Sequence, residues 1–432
     1  QLPQLPDRVA FLRHCRNTGD PDLDRIATEY LPLTLSRRHG DPSRPWNTFQ
    51  VPTRTPNGGV QVGYEGNWRD LFQNWEALSL SYPVFLQAMI QRFVNASTVD
   101  GHNPYRLHAD GIDWERPDPT DPWATIGYWG DHQLIYLHRL LGRYHDTFPD
   151  LFQEDLNTRR CVYVDLPYRL RDYADMLVTP GDTIIFDDER DSSLQQAMVE
   201  YGTDAIISRN RNGDIHRVTL FEKLLLTALV KSSNFIPDAG IWLNGQRPEW
   251  NDALNAIVGK AASVVTACHL KLFLDFLSTV TDDAKAETWF LSKEVAGFLR
   301  DITKVFREFS SESRTRNCPV IRQTVMDGLQ RASERYRKQI YNGWSGEFSA
   351  VPQETLAAFL SAAKQALTSA IKNNRRLDGL YNTYNWVCIG GNGIDVSSVD
   401  LMLEGQVAVI ESGLLPTADV LALLSALRQS SL

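Results

Sequence analysis

The stretch Gly63-Tyr-Glu-Gly-Asn-Trp-Arg-Asp-Leu-Phe-Gln-Asn-Trp-Glu-Ala-Leu78 sets two Trp, an Arg, a carboxamide pair and three carboxylates (Glu65, Asp70, Glu76) side by side. A solvated helix has no need of Trp68 and Trp75, and a core helix cannot hide Arg69 and Asp70 without partners. Flat aromatic faces beside forked polar groups suit a sugar. Its apolar ring face stacks on an indole, and its hydroxyls need paired donors and acceptors. On a helix Asp70 neighbours Gln73 and Asn74 at i,i+3 and i,i+4. Trp68, Arg69, Asp70, Gln73 and Asn74 are therefore read as a sugar-binding set. The competing reading is an Arg–Asp network that closes the loop.

Outward from this stretch, the apolar spacing Leu71, Trp75, Leu78, then Phe85, Met89 and Phe93 after Pro83, predicts helices. Residues 1–60 are rich in Pro and Arg and are expected to begin with a short helix and continue as an extended arm. Residues 95–131 form a long loop full of Gly, Pro, Asp and Trp, a length that is usually functional when ordered. Helical spacing resumes over His132–Leu141. Residues 158–217 read as a small β-containing insertion, with strands at Cys161–Asp165 and Thr183–Phe186 and a hairpin around Arg211-Asn-Gly-Asp214. Helices are then predicted at Leu220–Lys231, Asn251–Thr281, Ala284–Glu308, Cys318–Tyr341, Pro352–Lys372 and Ser397–Ser412. Long helices alternating with unequal loops that carry the chemistry predict a mainly α fold, an (α/α)6 toroid spanning 61–432. No fixed-period repeat marks a solenoid.

Composition narrows the function. A net charge of −9 without a Lys/Arg block argues against nucleic acid or an anionic membrane as partner. Acidic groups and 11 Trp suit a neutral oligosaccharide, although about half of those Trp are expected in the core. Five widely spaced Cys without a Cys-x-x-Cys pair point to free thiols in a reducing compartment, hence the cytoplasm, and to no metal centre. The best apolar run, Ala256–Leu277, is interrupted by Lys260, His269 and Lys271, so no membrane span is expected. Starting at Gln1 rather than Met, the sequence reads as a piece of a longer protein.

Two further clusters share the mixed character of the first. Asp110-Gly-Ile-Asp-Trp-Glu115 precedes Trp123-Ala-Thr-Ile-Gly-Tyr-Trp-Gly-Asp-His-Gln133. Asp131 beside Trp129 is placed to be partly desolvated, which raises a carboxyl pKa as a general acid requires. Capping a helix that starts at His132 is the alternative role for Asp131, and Asp113 or Glu115 is an alternative acid or sugar ligand. Trp242-Leu-Asn-Gly-Gln-Arg-Pro-Glu-Trp-Asn-Asp-Ala-Leu-Asn255 is the third cluster. Its Glu249 and Asp252 fit either a helix first turn or catalysis, and Trp250 and Asn251 fit a sugar. Gly390-Gly-Asn-Gly393 is a weak candidate phosphate cradle. Glu404, read as mid-helix, is a candidate base.

In these islands the chain resembles the (α/α)6-barrel, or six-hairpin, glycosidases, and among them the inverting disaccharide phosphorylases of the cellobiose phosphorylase type. That family carries Arg-Asp-x-x-Gln-Asp, Asp-Asp-His-Leu-Trp and Gly-Asp-Trp-Asn-Asp in this order. Arg69-Asp-Leu-Phe-Gln-Asn74, Gly130-Asp-His-Gln-Leu134 and Pro248-Glu-Trp-Asn-Asp252 stand in the same order here. Val258-Gly-Lys-Ala-Ala-Ser-Val-Val265 also resembles the family's Met-Gly-x-Gly-x-Ser-Val. The resemblance implies that Asp131 is the general acid, that Arg69 and Asp70 hold the sugar at the cleaved end, and that Trp250, Asn251 and Asp252 line the same pocket. Asn74 and Glu249 replace family Asp residues, and one Asp of the second motif is missing. Related toroidal glycosidases place an acid in a loop like that of Glu249–Asp252, so the roles of Asp131, Glu249 and Asp252 are exchangeable at this level.

The expected activity is cleavage of glycosidic bonds in oligosaccharides by inversion, with water as nucleophile and no cofactor. Inversion by water needs a base carboxylate about 6.5–9.5 Å from the acid, and Glu65, Glu249 and Glu404 are the candidates. Phosphorolysis to a sugar 1-phosphate, with inorganic phosphate as co-substrate, is the alternative, although the family's late phosphate-binding segment is not recognisable. A carbohydrate-binding domain without catalysis is the second alternative.

Overall fold

The computed structural model describes residues 7–32, 54–59, 63, 65–103, 106–108, 111–118, 120, 128–129, 133–247, 256–311 and 318–432. In chain order these form α1 (Arg8–Asn17), α2 (Pro21–Glu29), β1 (Glu65–Asn67), α3 (Trp68–Ser81), α4 (Leu86–Asn95), β2 (Arg106–His108), β3 (Gly111–Asp113), β4 (Tyr128–Trp129), α5 (His138–Thr147) and α6 (Pro149–Asn157). There follow β5 (Tyr168–Leu170), α7 (Tyr173–Val178), β6 (Ile184–Phe186), α8 (Asp188–Tyr201), α9 (Leu220–Ser232), β7 (Phe235–Ile236), β8 (Gly240–Trp242) and β9 (Gln246–Arg247). The remainder is β10 (Ala261–Ser263), α10 (Val264–Ala284), β11 (Thr288–Ser292), α11 (Lys293–Ser311), α12 (Pro319–Ile340), β12 (Phe348–Pro352), α13 (Gln353–Asn373), β13 (Tyr384–Gly390), β14 (Gly393–Ser398), α14 (Leu403–Glu411) and α15 (Thr417–Gln429). The protein is mainly α. Its contacts divide it into a first unit of 1–167 and 186–223 and a second of 168–185 and 224–432.

In the first unit, Asp7 and Asp20 cap α1 and α2 by accepting from backbone N–H groups, with Pro21 at the first position of α2. The two helices pack around Leu12, Cys15 and Ala27. Behind α4 lies a buried polar network. Asp155 accepts from Gln87 Nε2 at 2.9 Å, Tyr144 Oη at 2.7 Å and Arg160 Nη1 at 2.5 Å. Burial raises the Asp155 pKa, and the Arg160 charge opposes that rise. Lys223, fully buried in the first turn of α9, donates to the Val162 carbonyl at 2.6 Å and lies 3.4 Å from the centre of the Tyr163 ring. Burial holds its pKa well below the usual lysine value and pushes the nearby Cys161 thiol up to about 12.

In the second unit, an antiparallel sheet of order β14-β13-β10-β8-β7 packs on α12 through Ile236, Trp242, Ala262, Met326, Val387 and Ile394. The long helices α10 to α13 pack on one another, and β11 pairs antiparallel with β12 at their ends. Ser263 caps α10 by accepting from Thr266 N at 2.9 Å, worth about 1 kcal/mol. Among the described residues α10 is the one helix long and apolar enough to cross a membrane, and 67% of its apolar window is buried inside the fold.

Several sequence expectations are corrected. The helix expected over 251–281 starts at Val264, because Ala261–Ser263 is a sheet strand paired with β8 and β13. The helix expected from Ala284 starts at Lys293, because Thr-Trp-Phe-Leu-Ser is β-branched and aromatic and forms β11. Ser397 and Ser398 end β14, so α14 starts only at Leu403 and Glu404 lies in its first turn, not mid-helix. Within 158–217 the expected strands survive as β6 and as isolated bridges (Cys161 with Val218, Val164 with Ile207). The same segment also holds the unforeseen α8, capped by Asp187. The expected turn at 211–214 is present, with Asn210 N donating to Asp214 O at 2.8 Å.

Candidate functional site

The decisive stretch sits at a strand-to-helix junction. β1 pairs antiparallel with β2, which pairs with β3, so Asn67, Arg106 and Asp113 share one register row and Glu65, His108 and Gly111 another. The row between them is Gly66, Leu107 and Ile112, and its Leu107 and Ile112 are buried. Leu107 and Ile112 anchor the middle row of the sheet in the core. The sheet thereby brings Glu65, of the first cluster, and Asp113, of the second, onto one small platform. α3 leaves directly from its edge.

On α3 the backbone places Trp68, Arg69, Asp70 and Gln73 in the first two turns. Leu71, Phe72 and Trp75 are fully buried, and Asn74 is half-buried. Phe72 stacks on Tyr136 with centroids 5.8 Å apart and meets Trp75 and Phe93 edge-on. Trp75 is therefore a core residue that fixes the helix. Two further indoles of the clusters, Trp114 and Trp242, behave similarly. Trp114 is buried and donates from Nε1 to Asp191 Oδ1 at 2.7 Å, and Arg116 pairs with the same carboxylate at 2.9 Å. Trp242 is buried and donates to the Gly259 carbonyl at 2.8 Å. Gly259 has φ +80°, and a Cβ there would overlap the Pro180 carbonyl, so this anchor requires glycine.

Trp129 lies in β4, placed by its backbone. Asp110, Asp131, His132, Pro248, Glu249, Trp250, Asn251 and Asp252 lie outside the described residues. Gln133 opens a π-helix, Gln133–Leu137, that runs into α5. This rare form recurs at functional sites, and here it starts two residues after Asp131. Gln133 is buried, and its Nε2 donates to the Gly101 carbonyl at 3.3 Å. That bond fastens the start of the π-helix to the turn after α4, where Thr98 N donates to His102 O at 2.7 Å.

This turn supplies a residue that the sequence does not mark. Asn103 is 0% exposed, and neither Nδ2 nor Oδ1 meets a hydrogen-bond partner among the described residues. A buried carboxamide left in that state costs about 1–3 kcal/mol. It lies three residues before β2, on the chain that leads into the polar platform. Its amide suits a polar ligand that brings both a donor and an acceptor. The sequence signal is faint: Asp100-Gly-His-Asn103 reads as an ordinary turn.

Glu404 is half-buried in the first turn of α14, where a carboxylate favours the helix dipole. The Gly390–Gly393 segment is the tight turn of the β13–β14 hairpin. Gly393 has φ +115°, and a Cβ would strike the Pro319 backbone, so packing against the start of α12 accounts for this glycine. Among the described residues no group of His, Cys, Asp and Glu is arranged to hold a metal ion.

A scan against models of protein families finds none that matches the chain. A search of curated proteins finds no match either.

Proposed function

We propose that the protein cleaves glycosidic bonds of oligosaccharides by an inverting general-acid mechanism with water as nucleophile. The observation that carries this reading is the β1–β2–β3 platform, which gathers Glu65 and Asp113 from two sequence clusters at the start of the helix that bears Trp68, Arg69 and Asp70. The Asn103 carboxamide, without a partner among the described residues, and the π-helix after Asp131 support a polar ligand and a constrained backbone there. In this reading Arg69, Asp70 and Asn103 hold sugar hydroxyls and Trp68 stacks on the ring. Asp131 protonates the leaving oxygen, and Glu65 is the base that activates water. The long helices of the second unit, with α11 packed on α12 and α13 and α10 packed on α13, support an (α/α)6 toroid as the frame. The five free thiols support a cytoplasmic setting.

The test is Asp131→Asn. Loss of the general acid lowers kcat by about 10²–10⁴-fold, while the sugar Kd stays within about tenfold of wild type. Turnover surviving intact places the acid elsewhere.

A further inference from the structure

The second unit contains a cavity of about 320 Å³ that the glycosidase reading does not use. It lies where the C-terminal end of α13, the first turn of α12, the β7–β8 turn and the β13–β14 hairpin meet, and carboxamides dominate its wall. Asn374 caps α13, donating to the carbonyls of Ala370 and Asp238, both at 2.8 Å. Its Oδ1 accepts from Asn385 at 2.8 Å and from Asn382 at 3.3 Å. Asn385 in turn donates to the Ala239 carbonyl at 2.8 Å. Asp238 has φ +64°, an uncommon conformation for a residue with a side chain. Its carboxylate accepts from Asn373 at 2.6 Å and pairs with Arg322 at 3.5 Å.

Holding the β7–β8 turn explains Asn373, Asn374 and Asn385. It does not explain Asn382, whose Oδ1 is shielded from solvent and meets no donor among the described residues. Nor does it explain the exposed hydroxyls of Ser397 and Ser398 on the cavity wall. From these observations we propose that the cavity binds a neutral, hydroxyl-rich molecule the size of one sugar.

The chemistry of the wall selects this class. Asp238 and Arg322 offset one another, and the α13 C-terminus adds partial negative charge, so a phosphate or carboxylate gains nothing. Among the described residues Val396 is the single apolar one in the lining and no aromatic ring faces the cavity, so a nucleobase or apolar ligand has no surface to stack on. Fixed carboxamides present donors and acceptors together, as adjacent hydroxyls require. A ligand hydroxyl would supply the donor that Asn382 Oδ1 lacks. The volume suits one ring and not an extended chain.

The site stands apart from the glycosidase reading, because binding and not turnover reads it. The experiment is titration of the full chain with D-glucose, and with glucose 1-phosphate as an anionic comparison, followed by calorimetry and saturation-transfer NMR. We expect D-glucose to bind with Kd on the order of millimolar. Asn382→Ala weakens it by about three- to tenfold, and Ser398→Phe, which fills the cavity from an exposed strand position, abolishes it. Both variants are checked by thermal melting. Trp68→Ala and Asp131→Asn leave this binding in place. The proposal is overturned if wild type binds no D-glucose, if either folded variant binds it as wild type does, if Trp68→Ala removes it, or if glucose 1-phosphate binds the same site more tightly.

Discussion

Acidification should destabilise the first unit through one imidazole. His216 is 2% exposed, one residue beyond the Arg209–Ile215 bridge that closes the 211–214 turn. Its pKa is lowered from 6.5 to about 4, first because burial penalises the charged ring and then because Lys223 and Arg159 repel it. Below pH 6.5 the unfolded chain takes up a proton that the folded chain refuses. The stabilisation is therefore complete above about pH 6.5, is lost as pH falls from there to about 4, and changes no further below. A pKa gap of about 2.5, at about 1.4 kcal/mol per unit, corresponds to about 3.5 kcal/mol. Urea unfolding from pH 7.5 to 4.5 measures it, with His216→Asn as the comparison because asparagine does not titrate. The wild-type loss should exceed that of the variant by about 2–3 kcal/mol. Equal losses in both proteins would refute the assignment to His216.

The other predictions concern the site. Trp75→Ala empties a fully buried position and should cost about 3–5 kcal/mol in unfolding free energy, whereas Trp68→Ala should weaken oligosaccharide binding with little effect on melting; the reverse pattern would exchange their roles. Asn103→Ala removes an orphaned amide, so the unliganded protein should lose no more than about 1 kcal/mol of stability, while kcat/KM falls by about tenfold or more; a variant that is unstable yet fully active would make Asn103 structural. Gly393→Ala should destabilise the second unit by at least about 2 kcal/mol, because a left-handed conformation and a backbone clash add together; a wild-type melting temperature would contradict the packing.

The helices legible in the sequence are those with a strong apolar stripe or a clear cap. Pro319–Ile340 and Gln353–Asn373 follow their predicted spans closely. α8 escapes a reading by periodicity because only Leu194 of its residues is buried, so it has almost no apolar period. The strand Ala261–Ser263 merges with the following helix in sequence because a short apolar run fits either form, and only its pairing with β8 and β13 decides. At the site, the mixed character of residues 63–78 is legible, but the division of labour is not. Trp75, Trp114 and Trp242 stand in the three mixed clusters of the sequence and are buried core residues. An indole reads the same in either role, and only burial separates them. Asn103 is invisible in sequence because its significance lies in having no partner among the described residues.

Product analysis on α- and β-linked gluco-oligosaccharides, with and without inorganic phosphate, tests the central claim most directly. The account predicts free reducing sugar at the same rate in both conditions, released with inverted anomeric configuration. Measurable oligosaccharide binding with no product from any substrate, or a sugar 1-phosphate formed only when phosphate is present, would contradict it.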